Sequence, residues 1–539
     1  MIKKETFFVK LNMEENGTLN YIESCEIREF EKMKFSSFDE FFDFIAGNGK
    51  KTRNANIYVH DLEYNGKIIV AYLSTQKKAN LINIEEKSYD GDIKVIASRG
   101  SWYKVSLIYK KKKIHIMDSK KIIPFEIDDI RENLHIKNID DVLVMSEAIK
   151  QVGEYGLTEK LTIGSCCMNE FKELQTSFDS LFPVIDDDTD AFLRESYMGG
   201  WMYTKPSIMG KSQGEGYVYD ANSLYPSQMK TKEFPIKQPN YFDGSDFEKY
   251  ENRIYIVHFS ACITLKKKHF PFIYAPAECT KDDQGYLITT DMECMEFVLT
   301  KPDFELMFEQ YEVDDLTIID GYWFKGRQGI FNSYIEKWYN IKKNAKSPVE
   351  RLIAKLMLNN LYGKFGTDPK TFQSIPYIDS NNEFRMRQEE VRVKTVYVPV
   401  AAFVTAYGRQ ETIRKAQMHY DDFLYSDTDS IHSKKELTDI PIGKELGEWK
   451  CENKFSMAKY LKAKTYIEKM IEKDGIPCDP YWTVKAAGAS DYSKQLFLAD
   501  KTDDEIMKQF KIGLKMVGNY KKKTVHNTVI MEEFTFKIK

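Results

Sequence analysis

Apolar and polar positions change period several times along the chain, and each change marks an element or a boundary. Through residues 1–160, strand-length apolar runs (Ile57-Tyr-Val-His60, Ile68-Ile-Val-Ala-Tyr-Leu73, Lys113-Ile-His-Ile-Met-Asp118) alternate with polar helical stretches, the pattern of an α/β unit. The acidic segment 184–190 reads as a loop dividing this unit from the next. Residues 216–221 form a strand candidate ending at an aspartate, and from 232 to 329 the pattern turns to short strands and Gly/Asp turns, as in an inserted module. Ser347-Pro348-Val349-Glu350 is a capping box with proline in the first turn, opening a helical run to about Tyr362. Residues 366–393 are turn-rich and strand-like, a second insertion, and 423–433 reads as strand, tight turn, strand.

Length adds that one core is not enough: 539 residues exceed the roughly 250–300 that a single core covers, so two to four units are expected. Charge is nearly balanced, 78 basic against 82 acidic, which excludes a histone-like protein or an acidic disordered tail. Nucleic-acid binding depends instead on where charge sits, and residues 511–539 carry seven Lys against two Glu. The eight cysteines form no C-x-x-C pair and no histidine clusters beside them, so no zinc site is expected, and scattered thiols indicate a reducing cytoplasm. Lys10 interrupts the short apolar run that a signal peptide would need, and no stretch approaches the roughly 18–20 apolar residues of a membrane span. The expectation is a soluble intracellular protein.

Three stretches carry the chemistry. In Tyr217-Val-Tyr-Asp220-Ala-Asn222-Ser223-Leu-Tyr225-Pro226, a strand delivers Asp220 to its end, where a carboxylate can hold a divalent metal at a rim. On the capped helix, Arg351, Lys355, Asn359 and Tyr362 share one face; two cations a turn apart suit a polyphosphate, and a tyrosine beyond them can stack on a base. In Tyr425-Ser-Asp427-Thr-Asp429-Ser430, two carboxylates at a tight turn repel unless a cation lies between them. Singly, each is ordinary: Asp-x-Asp is most often a turn former and a basic stripe a solvated face. Together and in this order they would build a two-metal nucleotidyl transferase, with ions at Asp220 and Asp429 activating a hydroxyl and stabilising a pyrophosphate leaving group.

The stretch around Asp220, the run Lys355-Leu-Met-Leu-Asn359-Asn-Leu-Tyr362-Gly363 and the Asp427/Asp429 turn resemble motifs A, B and C of family B DNA polymerases. The nearer match is to the protein-primed branch of small bacteriophages, the phi-twenty-nine type. Tyr197-Met-Gly199-Gly200, Thr405-Ala-Tyr-Gly408-Arg409 and Lys464-Thr-Tyr466 resemble three further motifs of that branch, and the likeness runs to the closing Phe534-Thr-Phe-Lys-Ile-Lys. It implies a mixed α+β and α/β multidomain fold of right-hand form. An RNase H-like exonuclease-type domain would occupy 1–160, the palm 161–231 and 398–486, the fingers 330–365 and the thumb 487–539, with terminal-protein regions inserted at 232–329 and 366–397.

The implied activity is DNA-directed DNA synthesis from a 3′ hydroxyl with dNTPs, primed by a terminal protein and accompanied by strand displacement. By resemblance, Asp220, Asp427 and Asp429 are the catalytic carboxylates and bind two Mg²⁺ ions, with Mn²⁺ able to substitute. Lys342 or Lys343, with Arg351 and Lys355, would hold the triphosphate beside Asn359; Tyr225 would exclude a ribose 2′-hydroxyl, and Tyr362 would pack on the nascent pair. Tyr197, Gly199, Gly200, Asn222, Ser223, Thr405 and Arg409 are expected along the template or primer backbone, Lys464 and Tyr466 at the primer 3′ end, and Lys485 at another DNA contact. The implied partners are primer-template, single-stranded DNA and a terminal protein, for a monomer or a heterodimer with that protein in a bacterial host's cytoplasm.

The amino-terminal domain departs from the family pattern. Its first exonuclease motif should fall near Lys10 and Asn12, which replace Asp and Glu; the second reads Asp61-Leu-Glu63-Tyr-Asn65, with acid and amide exchanged; in the third, Lys137 stands in for a tyrosine ahead of Asp141. Proofreading is therefore expected to be lost, with template guidance by His60, Tyr64 and Lys110 to Lys113 retained. A shifted metal site from Asp61, Glu63, Asp118 and Asp141 is the alternative, and Asn360 replaces the usual Ser of motif B. A DNA-primed repair or translesion polymerase and a catalytically silent DNA-binding scaffold are the rival functions. The intact Asp220, Asp427, Asp429 and Lys355 weigh against the scaffold.

Overall fold

The computed structural model describes residues 5–14, 18–48, 54–82, 84–137, 140–291, 293–381, 383–394, 396–525 and 528–539, without the side chains of 133 and 518–534. Residues 1–4 and the side chains of Lys521, Lys522, Lys523 and Phe534, noted in the basic and closing runs, lie outside the described residues.

Three large sheets organise the chain. The first joins an amino-terminal α/β unit to the second insertion. Its central strand Asn54–Val59 pairs in parallel with Thr6–Met13 on one side and Lys112–Asp118 on the other. Beyond Lys112–Asp118 come Ser101–Tyr109 and Asp92–Ser98, then the hairpin strands Lys370–Ile378 and Phe384–Arg392. Phe384 is 4% exposed and packs in the same core as Trp102, Val105 and Ile116.

The second sheet is antiparallel throughout, in the order Ile476–Ala486, Thr465–Lys473, Trp449–Lys462, Gly216–Ala221, Ser430–Ser433, Phe423–Asp427, Met202–Thr204. Behind it runs helix Val398–Met418, buried almost all round and packed on helices Leu224–Thr231, Lys301–Gln310 and Tyr362–Phe365. Fifteen of its 21 residues are buried, so no single apolar stripe marks it in the sequence. The third sheet lies within 232–329 and is built on Glu233–Asp243, Tyr311–Gln328 and Ile254–Leu265. These strands, of 11, 18 and 12 residues, are longer than the broken sequence pattern suggests. Among the described residues no helix is long and apolar enough to cross a membrane.

Four local expectations need correction. The run Ile68 to Leu73 is the interior of helix Leu62–Gln76, where eight positions are buried; a short apolar run fits a buried helix as well as a strand. The segment 184–190 is not all loop: Asp186 accepts from the Thr189 N–H and opens helix Asp187–Glu195, whose acidic first turn suits the helix dipole. Only half of the expected capping box forms, since Ser347 accepts from the Glu350 N–H while the Glu350 carboxylate takes the Lys346 N–H. Finally, Cys262 and Cys294 are joined in a disulfide, because antiparallel pairing of Ala261 with Met295 sets them side by side.

Candidate active site

Backbone register assembles the carboxylates. Asp220 lies opposite Ser430, and the Ala221 N–H donates to the Asp429 carbonyl at 2.8 Å, so the strand end and the acidic turn share one rim. Thr428 makes that turn with φ of 63°, its N–H donating to the Trp201 carbonyl. Burial, then the charges of Asp429 and Glu452, push the Asp220 carboxyl up to about 7. Burial raises Asp429 as well, reinforced by Asp427. Oxygen-only donors that are partly desolvated and repel one another could hold a hard divalent cation.

A basic face stands over this rim. On helix Pro348–Asn360, Arg351, Lys355 and Asn359 are exposed while Ile353, Ala354, Met357 and Leu358 are buried, so the i, i+4, i+8 stripe is left free by packing. Lys355 acts electrostatically on both Asp220 and Asp429. Lys342, from helix Asn332–Lys343, donates to the Ser223 hydroxyl at 2.9 Å. Its ammonium is pushed down to about 8 by burial and by Lys355 and Arg351. Lys343 instead pairs with Glu445 at 2.5 Å, away from that cluster. A lysine held down by burial and by two neighbouring cations in this way stands where a polyanion could bind.

Tyr225 and Tyr362 close the floor, with ring centroids 4.6 Å apart, and Tyr362 opens its own short helix rather than continuing the capped one. The slot for Tyr225 depends on two missing side chains. A Cβ on Gly408 would lie 2.6 Å from its ring, and one on Gly200 would lie 2.8 Å from its hydroxyl and 2.5 Å from the Thr428 hydroxyl. Gly199 faces open space, and Tyr197 packs over Gly366. Asn222 is held by the 443–448 loop: its side chain donates to the Gly443 carbonyl and its N–H to the Glu448 carbonyl.

Two expected DNA contacts turn inward. Thr405 is buried, its hydroxyl donating to the Ala401 and Ala402 carbonyls. Arg409 is 3% exposed; its guanidinium grips Asp303 at 2.6 Å and donates to the Met198 and Gly199 carbonyls. Arg409 therefore shapes the Gly199 loop from beneath and presents no face to a backbone phosphate.

Lys464, Tyr466 and Lys485 line a cleft of about 840 Å³ together with Asp220, Asp427 and Asp429. Motif reading missed Glu452, in the same cleft, and Lys450, opposite Asp220 on the neighbouring strand. Their only signal is alternation along strand Trp449–Lys462, which acquires meaning once its pairing with Gly216–Ala221 is known.

The amino-terminal cleft is built differently. The Lys10 ammonium bonds Asp141 at 2.8 Å and Arg131 bonds its other oxygen at 2.9 Å, so a carboxylate of the alternative, shifted metal site is paired with protein cations. Asp61 caps helix Leu62–Gln76 with φ of 64°, Glu63 pairs with Lys67, and Asn12 donates to Glu23. Asp118 is buried and accepts from the Asp61 and Lys120 N–H groups. The Lys110 to Lys113 run is a hairpin turn in which Lys110 pairs with Asp43 and buried Lys112 with Glu5, not a continuous phosphate patch. His60 is largely enclosed and bonded to Ser119.

A carboxylate rim on an antiparallel sheet, faced by a basic helix and flanked by a groove, defines a nucleotide polymerase of right-hand form. The family described as DNA polymerase type B, organellar and viral, matches residues 136–445. The chain is 31% identical to the DNA polymerase of Bacillus phage B103 across 94% of this chain and 93% of that one, and 30% identical to that of Bacillus phage phi29 across 97% and 98%. Its fold superposes on phi29 DNA polymerase complexed with primer-template DNA with a TM-score of 0.86, covering all of both chains at 29% identity. The chain belongs to the type B DNA polymerases, and it is a DNA-directed DNA polymerase of the phi29 type.

Proposed function

We propose that this polymerase is primed by a terminal protein and extends the 3′ hydroxyl at the rim of Asp220 and Asp429, with Mg²⁺ as its working metal, in a chain whose proofreading centre has been dismantled. The observation that carries the reading is the pair of mutually repelling, partly buried carboxylates beneath Lys355 and Lys342. Divalent cations held by Asp220 and Asp429 would supply a lowered hydroxyl pKa and charge neutralisation at the transferred phosphoryl group. The chain's own residues do the remainder. Lys342, Lys355 and Arg351 hold the triphosphate, and Asp427 steadies the turn from the cleft side. Tyr225, wedged by Gly200 and Gly408, blocks the space of a 2′-hydroxyl. Lys464 and Tyr466 hold the primer strand and Lys485 a more distant phosphate.

We read the palm (161–231 and 398–486) as carried by the second sheet, the fingers (330–365) by helices Asn332–Lys343 and Pro348–Asn360, the thumb as 487–539, and the priming-protein and strand-displacement regions as the insertions 232–329 and 366–397. Solved complexes of phi29 polymerase with primer-template and with single-stranded DNA support the same partners for this chain. Loss of proofreading is supported by Lys10 and Arg131 on Asp141, which leave no room for charge-balanced metal binding at that carboxylate.

The test is a 5′-labelled primer on a longer template with Mg²⁺, with and without dNTPs, beside Asp429→Ala. Extension abolished by the substitution, with no shortening when dNTPs are absent, is the expected result. Shortening would restore the shifted nuclease site; failure to attach a nucleotide to any protein hydroxyl, with good primer extension, would favour a DNA-primed enzyme.

A further inference from the structure

The second sheet curls so far that its flanks touch. His432 lies on strand Ser430–Ser433 and Glu468 on Thr465–Lys473, with two strands between them in the sheet, yet the His432 ring nitrogen Nδ1 meets Glu468 Oε1 at 2.6 Å. The Tyr460 hydroxyl donates to the same oxygen at 2.5 Å. Glu468 and His432 are 1% and 2% exposed, and Tyr460 is fully buried. Around them Tyr425 lies 5.0 Å from His432 and 4.9 Å from Tyr466, ring centre to ring centre.

We propose that the His432–Glu468–Tyr460 cluster is a positioning device that fixes the primer-contacting residues Lys464 and Tyr466 relative to the Asp427–Asp429 turn. His432 is three residues past Asp429 on the return strand, and Glu468 is two past Tyr466 on the same side of its strand, so each partner is tied to one half of the site. Ladder hydrogen bonds do not set this distance, because two strands intervene and a sheet's curl is soft. A direct bond across the curl removes that freedom. Lys464 needs such support: it holds a φ of 55° at the strand junction, and its N–H donates to the Tyr425 hydroxyl at 3.0 Å. Burial and the Glu468 charge push the Tyr460 phenol well above its ordinary range, which keeps its proton available for the bond. An acid buried this deeply is costly unless donors converge on it, and no other feature of the site requires an acid here.

The inference rests on the reading that Lys464 and Tyr466 grip the primer. The experiment is steady-state primer extension by the full chain, with the KM for primer-template and the KM for dNTP measured separately. Glu468→Leu removes the acceptor, Glu468→Gln keeps one, and Lys464→Ala is made alone and in the Leu background. The expected result is about a tenfold rise in primer-template KM for Glu468→Leu with dNTP KM unchanged, near-complete rescue by Glu468→Gln, and less than about a twofold further effect of Lys464→Ala in the Leu background. Tyr460→Phe, which retains bulk, should show the same selective rise and serves if the Leu variant does not fold. Equal rises in both KM values, or effects of Glu468→Leu and Lys464→Ala that multiply, would overturn the proposal. An unchanged primer-template KM for Lys464→Ala alone would instead overturn the primer-grip reading.

Discussion

Replacing Asp220, the proposed metal-binding carboxylate, by Asn should stabilise the metal-free enzyme while destroying its activity. In the folded chain this carboxyl titrates at about 7, against 3.8 for an unperturbed aspartate, because burial and the Asp429 and Glu452 charges oppose ionisation. A folded-state pKa raised above the unfolded one means the folded state holds its proton longer, so stability is full below about 3.8 and is lost as pH rises through 7. At about 1.4 kcal/mol per pH unit, the penalty reaches about 4 kcal/mol at pH 8 and about 2 kcal/mol at pH 5. Asn carries no such charge. Thermal unfolding in EDTA should therefore place Asp220→Asn several degrees above wild type at pH 8, with the gap roughly halved at pH 5. Adding Mg²⁺ should raise the wild type and move the variant little, because bound cation relieves the repulsion that Asn has already removed. A variant no more stable than wild type at pH 8 without metal would refute the reasoning, and would mean that Lys355 and Lys450 already compensate the rim.

Three other outcomes are expected. Arg409→Met should destabilise by about 3–5 kcal/mol by stranding Asp303, which is 0% exposed, with Arg409→Met/Asp303→Leu less unstable than Arg409→Met in the same denaturation experiment. Because Lys342 titrates near 8, kcat/KM for dNTP should fall as pH rises past that value as its charge is lost, and Lys342→Arg should move the falling limb to higher pH. Tyr225→Val should raise ribonucleotide incorporation by about 10–200-fold, read as the ratio of kcat/KM for rNTP and dNTP, with little change for dNTP itself.

What could be read from the sequence was whatever rests on local order. Asp220, Lys355 and the Asp427–Asp429 turn are close enough to their own strand or helix signals that spacing alone aligns them. The capped helix kept its exposed stripe because packing and propensity agree there. Contacts that depend on sheet register were invisible: Glu452 and Lys450 reach the rim only through pairing with Gly216–Ala221, and Glu468 meets His432 only because the sheet curls. Arg409 misled for a related reason. A basic residue in a polymerase motif invites a phosphate, but its counter-charge, Asp303, comes from an insertion 106 residues away.

The shared sheet has a consequence for how this chain can be cut or inherited. The Lys370–Ile378 strand meets the amino-terminal unit through Gln373 and Ser98, Arg99 donates its N–H to the Phe372 carbonyl, and Phe384 fills that unit's core. A truncation starting after residue 160 would uncover an apolar ring and a bare strand edge beside the hairpin, the combination that makes proteins stick to one another. The amino-terminal unit thus serves as an abutment for the hairpin of the second insertion, a structural role that does not depend on nuclease chemistry.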